Sequence, residues 1–241
     1  MDWRISHKSV TESTNKDALG GKPGDVFVAD MQTAGRGRLD HRWLSSPGEN
    51  LMMSAVVDVA DVPPQETATL PLVVGLAAAQ AVSGVFAGYG NESLSAAVKV
   101  KWPNDVLVGR RKICGILCER NGDNVIVGVG LNVNQTVFAP EISSRATSIS
   151  QELGERLDVT HVRDVVLNRL SECIERWRQD GFASLLPVLS GFDCLRGRRV
   201  MVRRTDDDAS PADGICGGIG PDGMLDVAGE AISAGEAHIM L

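Results

Sequence analysis

An α+β fold, with a mixed central β-sheet flanked by helices and a small β unit behind it, is what the sequence predicts, and three observations predict it. Strand-like segments, several bounded by tight turns, alternate with helical ones along most of the chain. Two long segments carry helical patterning, one almost wholly apolar and one amphipathic. From about Gly191 the chain changes character, to short strand-like pieces punctuated by Gly, Pro and Asp. The predicted division is therefore a main domain over 1–190 and a small domain over 191–241.

Each element has its own reason. "ESTNKDAL" places Ser13, Thr14 and Asn15 before a short helical run, a composition that fits either a plain N-cap or a contact to an anion. "DVFVAD" reads as a short buried strand and "NLMMSAVVDV" as another. "PPQETATLPLVVGLAAAQAVSGVFAG" reads as one long buried helix started after prolines, its small residues suited to close packing on a sheet. "AVKVKWPNDVLVGRRKICGILCER" reads as strand, Pro-containing corner, strand, tight turn at Gly109–Arg110–Arg111, and strand, with Lys112 just past the turn. In "NVIVGVGLNVN" the alternation is clean: Val125, Val127, Val129, Leu131 and Val133 on one face, Ile126, Gly128, Gly130, Asn132 and Asn134 on the other. Glycine weakens a strand unless something approaches its backbone, so the second face meets either a ligand or a tightly packed neighbour. From Thr160 to about Trp177 a helix behind a Thr cap buries Val162, Val165, Val166, Leu170, Cys173, Ile174 and Trp177. The tail pieces "RRVMVRR", "DGICGGIG", "GMLDVAG" and "EAISAGEAHIML" form a barrel-like appendage, and "TDDDASPADG" an exposed turn.

Composition excludes several classes. The chain has 241 residues and a formal net charge of −7, so its mean field repels nucleic acid and anionic membrane surfaces. Any anion must be gripped locally. Cys114, Cys118, Cys173, Cys194 and Cys216 are odd in number and form neither CxxC pairs nor Cys/His clusters, which argues against a disulfide framework or a zinc site and for the reducing cytoplasm. The first residues lack a signal-peptide pattern, and the apolar stretch from Leu70 is diluted by Ala and Gly, so no membrane span is expected.

The charge knot "QTAGRGRLDHRW" is by itself compatible with a solvated face or a nucleic-acid patch, since it lacks the Walker lysine and the dinucleotide-fingerprint context. Read with "KWPND", "RRKICGIL" and "GVGLNVN", it becomes one constellation of cations and glycine-faced strand. This constellation resembles the biotin protein ligases, in four motifs that follow the family's order from "ESTN" to the closing "ISAGEAHIML".

The resemblance implies a class II aminoacyl-tRNA synthetase-like biotin/lipoate ligase fold with an SH3-like C-terminal β-barrel, in a monofunctional, cytoplasmic enzyme, monomer or homodimer. By position, Ser13, Thr14, Asn15 and Gln32 correspond to biotin contacts, and Arg36, Gly37 and Arg38 to the loop that closes over biotin and its adenylate. Lys101 and Asn104 in "KWPND", Trp43, Arg38 and Asn132 fall to ATP, with Asn104 the contact to nucleotide or metal. Lys112 is the lysine of the "KxxGI" hairpin and, with Arg38, the catalytic pair. Gly115, Ile116 and Leu117 form the biotin-facing wall. The implied reaction uses ATP and Mg2+ to convert biotin to biotinyl-5′-AMP, then passes biotin to a lysine of a biotin carboxyl carrier domain of an acyl-CoA or pyruvate carboxylase.

One departure stands out: Leu39, Asp40 and His41 replace the Gly and Arg that end the family's loop, which puts a negative charge near a phosphate site. The segment from about Gly35 to Ser46 is expected to be poorly ordered until anions order it. Three other readings compete: a lipoate-type ligase, a catalytically silent biotin-binding regulator, and a DNA-binding repressor, for whose N-terminal module no room is expected because the ligase motifs start almost at Met1.

Overall fold

The computed structural model describes residues 1–38, 42–204 and 210–240. Leu39, Asp40 and His41 lie outside the described residues, as does the first half of the predicted exposed turn, 205–209.

The main domain runs β1 (Arg4–Thr11), α1 (Thr14–Asp17), β2 (Asp25–Gln32), β3 (Leu51–Asp58), α2 (Pro64–Thr67), α3 (Leu70–Gly88), α4 (Glu92–Ala97), β4 (Val98–Lys101), β5 (Asp105–Val108), β6 (Arg111–Asn121), β7 (Asn124–Leu131), α5 (Ile149–Leu153), α6 (Val159–Asp180) and α7 (Leu186–Phe192). Its seven strands order as β1-β2-β3-β7-β6-β5-β4. The β1–β2 pair is parallel and the others antiparallel, so the sheet is mixed, as predicted. The edge strand β1 carries no period-two pattern because nearly all of it is exposed. Its parallel ladder with β2 defines it instead.

Helices α3 and α6 cover one face. The α3 helix is buried on nearly every side and has the apolar length to cross a membrane by composition alone, yet it is mostly enclosed by the sheet and α6, the position of a core helix. The predicted single helix is broken at Ala68–Thr69. There the Thr69 hydroxyl donates to Glu66 O (2.7 Å) and accepts from Trp177 Nε1 (3.1 Å). The α6 helix starts earlier than its predicted Thr160 cap: Asp158 caps it by accepting from Thr160 N (2.8 Å). A carboxylate two residues upstream satisfies the same free N–H groups and complements the helix dipole. Val165 is only partly buried, the other predicted positions fully so.

The tail folds as β8 (Arg199–Arg203), β9 (Ala212–Ile219), β10 (Leu225–Val227), β11 (Glu230–Ile232) and β12 (Glu236–Ile239), a second sheet ordered β11-β10-β9-β8-β12. It is tied to the main domain: buried Trp102 donates from Nε1 to Gly223 O (3.0 Å), and Cys194 N donates to Val100 O (3.1 Å). The indole N–H of the "KWPND" corner therefore depends on the small sheet for its partner.

Candidate active site

Strands β6 and β7 build the floor of the site. Gly115 pairs with Gly130 and Leu117 with Gly128, two successive positions on the face opposite α3. A Cβ on Gly130 would lie 2.6 Å from the Trp43 ring, and one on Gly128 would lie 2.3 Å from Asn15 Oδ1. Of the two meanings left open for the glycine face, close packing of a neighbour thus holds at both positions. The neighbours are themselves two of the expected ligand contacts.

The bay over Gly115 and Gly130 is cationic. Lys112 Nζ lies 2.6 Å from Asp105 Oδ1 and 5.8 Å from the Trp43 ring centroid. The Lys112 backbone is held by Arg145 O, which accepts its N–H at 2.7 Å, and by Thr147 N, which donates to its carbonyl at 2.9 Å. Arg38 donates to Asn104 Oδ1 (3.2 Å), whose amide in turn donates to Ile116 O (2.8 Å). Burial pulls the Arg38 guanidinium down from its ordinary value, against the Asp105 and Glu236 carboxylates, which hold it up. Asn132 is buried, with Nδ2 committed to Thr147 O (2.9 Å). Trp43 Nε1 is buried without a partner among the described residues. A buried indole N–H at this point suits a ligand that brings an acceptor.

The bay over Leu117 and Gly128 is neutral at its centre. Thr14 N donates to Gln32 Oε1 (2.7 Å), and Ser54 Oγ lies 2.7 Å from Thr14 Oγ1 and 2.6 Å from Asn15 Oδ1. Asn15 Nδ2 donates to Glu119 Oε2 (2.6 Å), and Arg36 donates to both Glu119 oxygens at 2.9 Å. Ser13 is buried and makes no side-chain cap bond, so the plain N-cap reading of "STN" does not hold. The loop flanks meet at an antiparallel Arg36–Arg42 bridge, with Trp43 N donating to Gly35 O (3.0 Å).

The fold thus gathers Thr14, Asn15, Gln32, Arg36, Arg38, Trp43, Asn104, Lys112, Gly115 and Asn132 around one surface. Ile116 points to the α3 side and joins the site through its backbone, to Asn104. Lys101 pairs in register with Asp105, and its charge offsets part of the rise that burial imposes on the Cys194 thiol. Gly37 sits half-buried between the two arginines. Three residues here had no role assigned from sequence: Asp105, Ser54 and Glu119. Ser54 is the one polar residue in "LMMSAVV", and Glu119 follows Gly115 and Leu117 at the same period of two, so alternation was the available signal. Burial pushes the Cys114 and Cys118 thiols up to about 12, which leaves both protonated and unsuited as nucleophiles at neutral pH.

The profile of the Biotin/lipoate A/B protein ligase family matches residues 7–134. The bifunctional ligase/repressor BirA of Bacillus spizizenii is 36% identical over 192 residues, 75% of this chain and 55% of that protein, so the chain spans little more than half its length. The biotin--[acetyl-CoA-carboxylase] ligase of Paracoccus denitrificans is 30% identical over 241 residues, covering 92% of each. The structure of the Aquifex aeolicus biotin protein ligase in complex with biotin and ATP superposes with a TM-score of 0.83 at 28% identity, over 98% of both chains.

Proposed function

Because the chain belongs to the Biotin/lipoate A/B protein ligase family, we propose that it activates biotin with ATP and transfers it to a carboxylase's biotin carrier domain. The observation that carries this reading is the pairing of a cationic bay with a neutral hydrogen-bonding bay along one glycine-floored ladder. Biotin needs both. Its carboxylate and the ATP α-phosphate repel each other, and its cyclic urea offers two N–H donors and one carbonyl acceptor.

In the first half-reaction a biotin carboxylate oxygen attacks the α-phosphorus, the bond to the β-phosphate oxygen breaks, and pyrophosphate leaves. Lys112 and Arg38 supply fixed positive charge where negative charge gathers, a stabilisation that needs no reorganisation at the moment of reaction. Asp105 keeps the Lys112 ammonium aimed. Trp43 covers the floor, where water would hydrolyse the mixed anhydride. In the second half-reaction the acceptor's lysine amine attacks the acyl carbon, AMP leaves, and an amide forms. The nucleophile comes from the partner.

Mg2+ enters this proposal as part of the nucleotide. Among the described residues no cluster of three His, Cys, Asp or Glu side chains could hold a metal, and Asp105 is already paired. That suits an ion bound by phosphates and water rather than by a protein cage. A cytoplasmic location fits the five free thiols.

The test is mass spectrometry of a biotin carboxyl carrier domain incubated with the protein, biotin, ATP and Mg2+. One biotin on one lysine is expected, and none without ATP. Addition of lipoate in place of biotin would transfer the chain to the lipoate branch, and no addition of either would end the ligase reading.

A further inference from the structure

Asn50 is the last residue before β3 and lies outside the motifs that carry the family resemblance, yet it is 2% exposed and its amide is engaged at both ends. We infer that Asn50 is a positioning residue that ties Trp43, above the floor of the site, to the strand end that carries Asn132. The inference rests on the proposed function, because what Asn50 holds in place is the side chain that covers the adenylate.

A buried polar side chain is costly unless its groups are met, and Asn50 meets them all with distant parts of the chain. Val133 N can only donate, so Asn50 Oδ1 is the atom that faces it, at 3.0 Å. The two Nδ2 protons are left for Gln135 Oε1 at 2.6 Å and Ser45 Oγ at 3.1 Å. Both oxygens are available to accept. Ser45 turns its own proton to Ser46 O (3.1 Å), and Gln135 turns its nitrogen to Val137 O, to which it donates at 2.9 Å. Gln135 Oε1 takes a second, longer bond from Ser46 N (3.4 Å). Asn50 and Gln135 together thus grip the two serines that follow Trp43 and Leu44.

This grip matters because residues 43–46 belong to no helix or strand, so no ladder holds the indole over Gly115 and Gly130. Upstream, Trp43 N donates to Gly35 O; downstream, the first side-chain holds are those on Ser45 and Ser46. The far end of the same Asn50 amide sits on Val133, the neighbour of Asn132. Asn132 has its own supports: its N–H donates to Ile113 O (2.9 Å) and its carbonyl accepts from Ile149 N (3.1 Å). The backbone bond from Asn134 N to Glu49 O (2.7 Å) also bypasses the Asn50 side chain. Loss of that side chain therefore leaves Asn132 in place and frees Trp43 from it. The bay over Gly128 is bonded separately, Thr14 N to Gln32 and Ser54 to Asn15, and does not depend on Asn50.

The experiment compares the parent with Asn50→Ala, Asn50→Asp, Gln135→Leu and Gln135→Glu. Each is read for melting temperature, for biotin binding without ATP, and for the biotinyl-5′-AMP that escapes to solvent per biotin placed on a carrier domain. Asn50→Asp keeps an acceptor for Val133 N but has no proton for Ser45 or Gln135. It should let about ten times more adenylate escape, the effect of losing about one hydrogen bond, while melting closer to the parent than Asn50→Ala does. Gln135→Leu removes the second grip and should also raise escape, and it decides the matter if neither Asn50 variant folds. Gln135→Glu still accepts from Asn50 and Ser46 and should retain the adenylate nearly as well as the parent. Biotin binding without ATP should hardly change in any of them. Parental escape in Asn50→Asp and Gln135→Leu, or escape that rises only in step with lost biotin binding, would overturn the inference. A parent that forms no biotinyl-5′-AMP would remove the proposed function itself, and this inference with it.

Discussion

Replacing Lys112 with alanine is expected to slow formation of biotinyl-5′-AMP about a hundredfold, the loss that follows removal of one charge-assisted donor from a water-excluded site, on the order of 3 kcal/mol. The structure sharpens the reason. Lys112 reaches the cationic bay from the second residue of β6, with its backbone held on both sides and its ammonium aimed by Asp105 at 2.6 Å. The fold should hardly notice the change. The ion pair is partly exposed, so Asp105 rehydrates when its partner is gone, and such pairs contribute at most about 1 kcal/mol. The variant should melt near the parent, bind biotin only moderately less well, and release pyrophosphate far more slowly. Given chemically made biotinyl-5′-AMP it should recover part of its transfer activity, because the anhydride is already formed. Pyrophosphate release at the parental rate would take Lys112 out of the chemistry. Equal loss in both half-reactions would make it a general organiser of the site.

Gly128→Ala should be strongly damaging although it only replaces one hydrogen by a methyl group. The new Cβ would sit 2.3 Å from Asn15 Oδ1 and 3.1 Å from the Leu117 carbonyl oxygen, inside a sheet whose backbone cannot yield. Overpacking of this kind costs about 1–3 kcal/mol. Asn15 is the element able to move, and its displacement breaks the bonds to Ser54 and Glu119, so biotin affinity should fall along with the melting temperature. Gly84→Ala gives the opposite sign on the same exchange. Gly84 lies on the exposed side of α3 with open space at its Cβ, and alanine in a helix is favoured over glycine by about 0.5–1 kcal/mol. Thermal unfolding of the two variants beside the parent, with biotin titrations of each, checks both. A Gly128→Ala protein as stable as the parent would mean that Asn15 is not held where the structure puts it.

Much of this was legible in the residues. The alternation of "NVIVGVGLNVN" placed Gly128 and Gly130 on one face and the valines on the other, and that is how β7 lies against α3. The hairpin turn at Gly109 put Lys112 at the start of its strand, and "GRGR" supplied Arg38 to the same bay and Arg36 to the neighbouring one. Local patterns were enough because strand alternation and turn chemistry are properties of neighbouring residues. Where local signals were thin, the reading fell short. The strand β1 shows no alternation because both its faces are exposed, and the short helices α4, α5 and α7 were not foreseen. At the start of α6 a hydroxyl and a carboxylate competed for one cap, and the carboxylate took it.

What the sequence by itself determined, then, is the supply: two glycines on one strand face, a lysine behind a turn, arginines in a loop, and a polar Ser-Thr-Asn run. Only the tertiary structure decided who meets whom. Asn15 reaches Ser54 across 39 residues and Glu119 across 104, because β3 and β6 both flank β7 in a sheet whose order departs from chain order. Which strands become neighbours, and in which register, is chosen by the burial of the whole sheet against α3 and α6. Contacts such as these exist only once the strands are assembled, which is why a glutamate unremarkable in its own segment comes to accept from both Asn15 and Arg36.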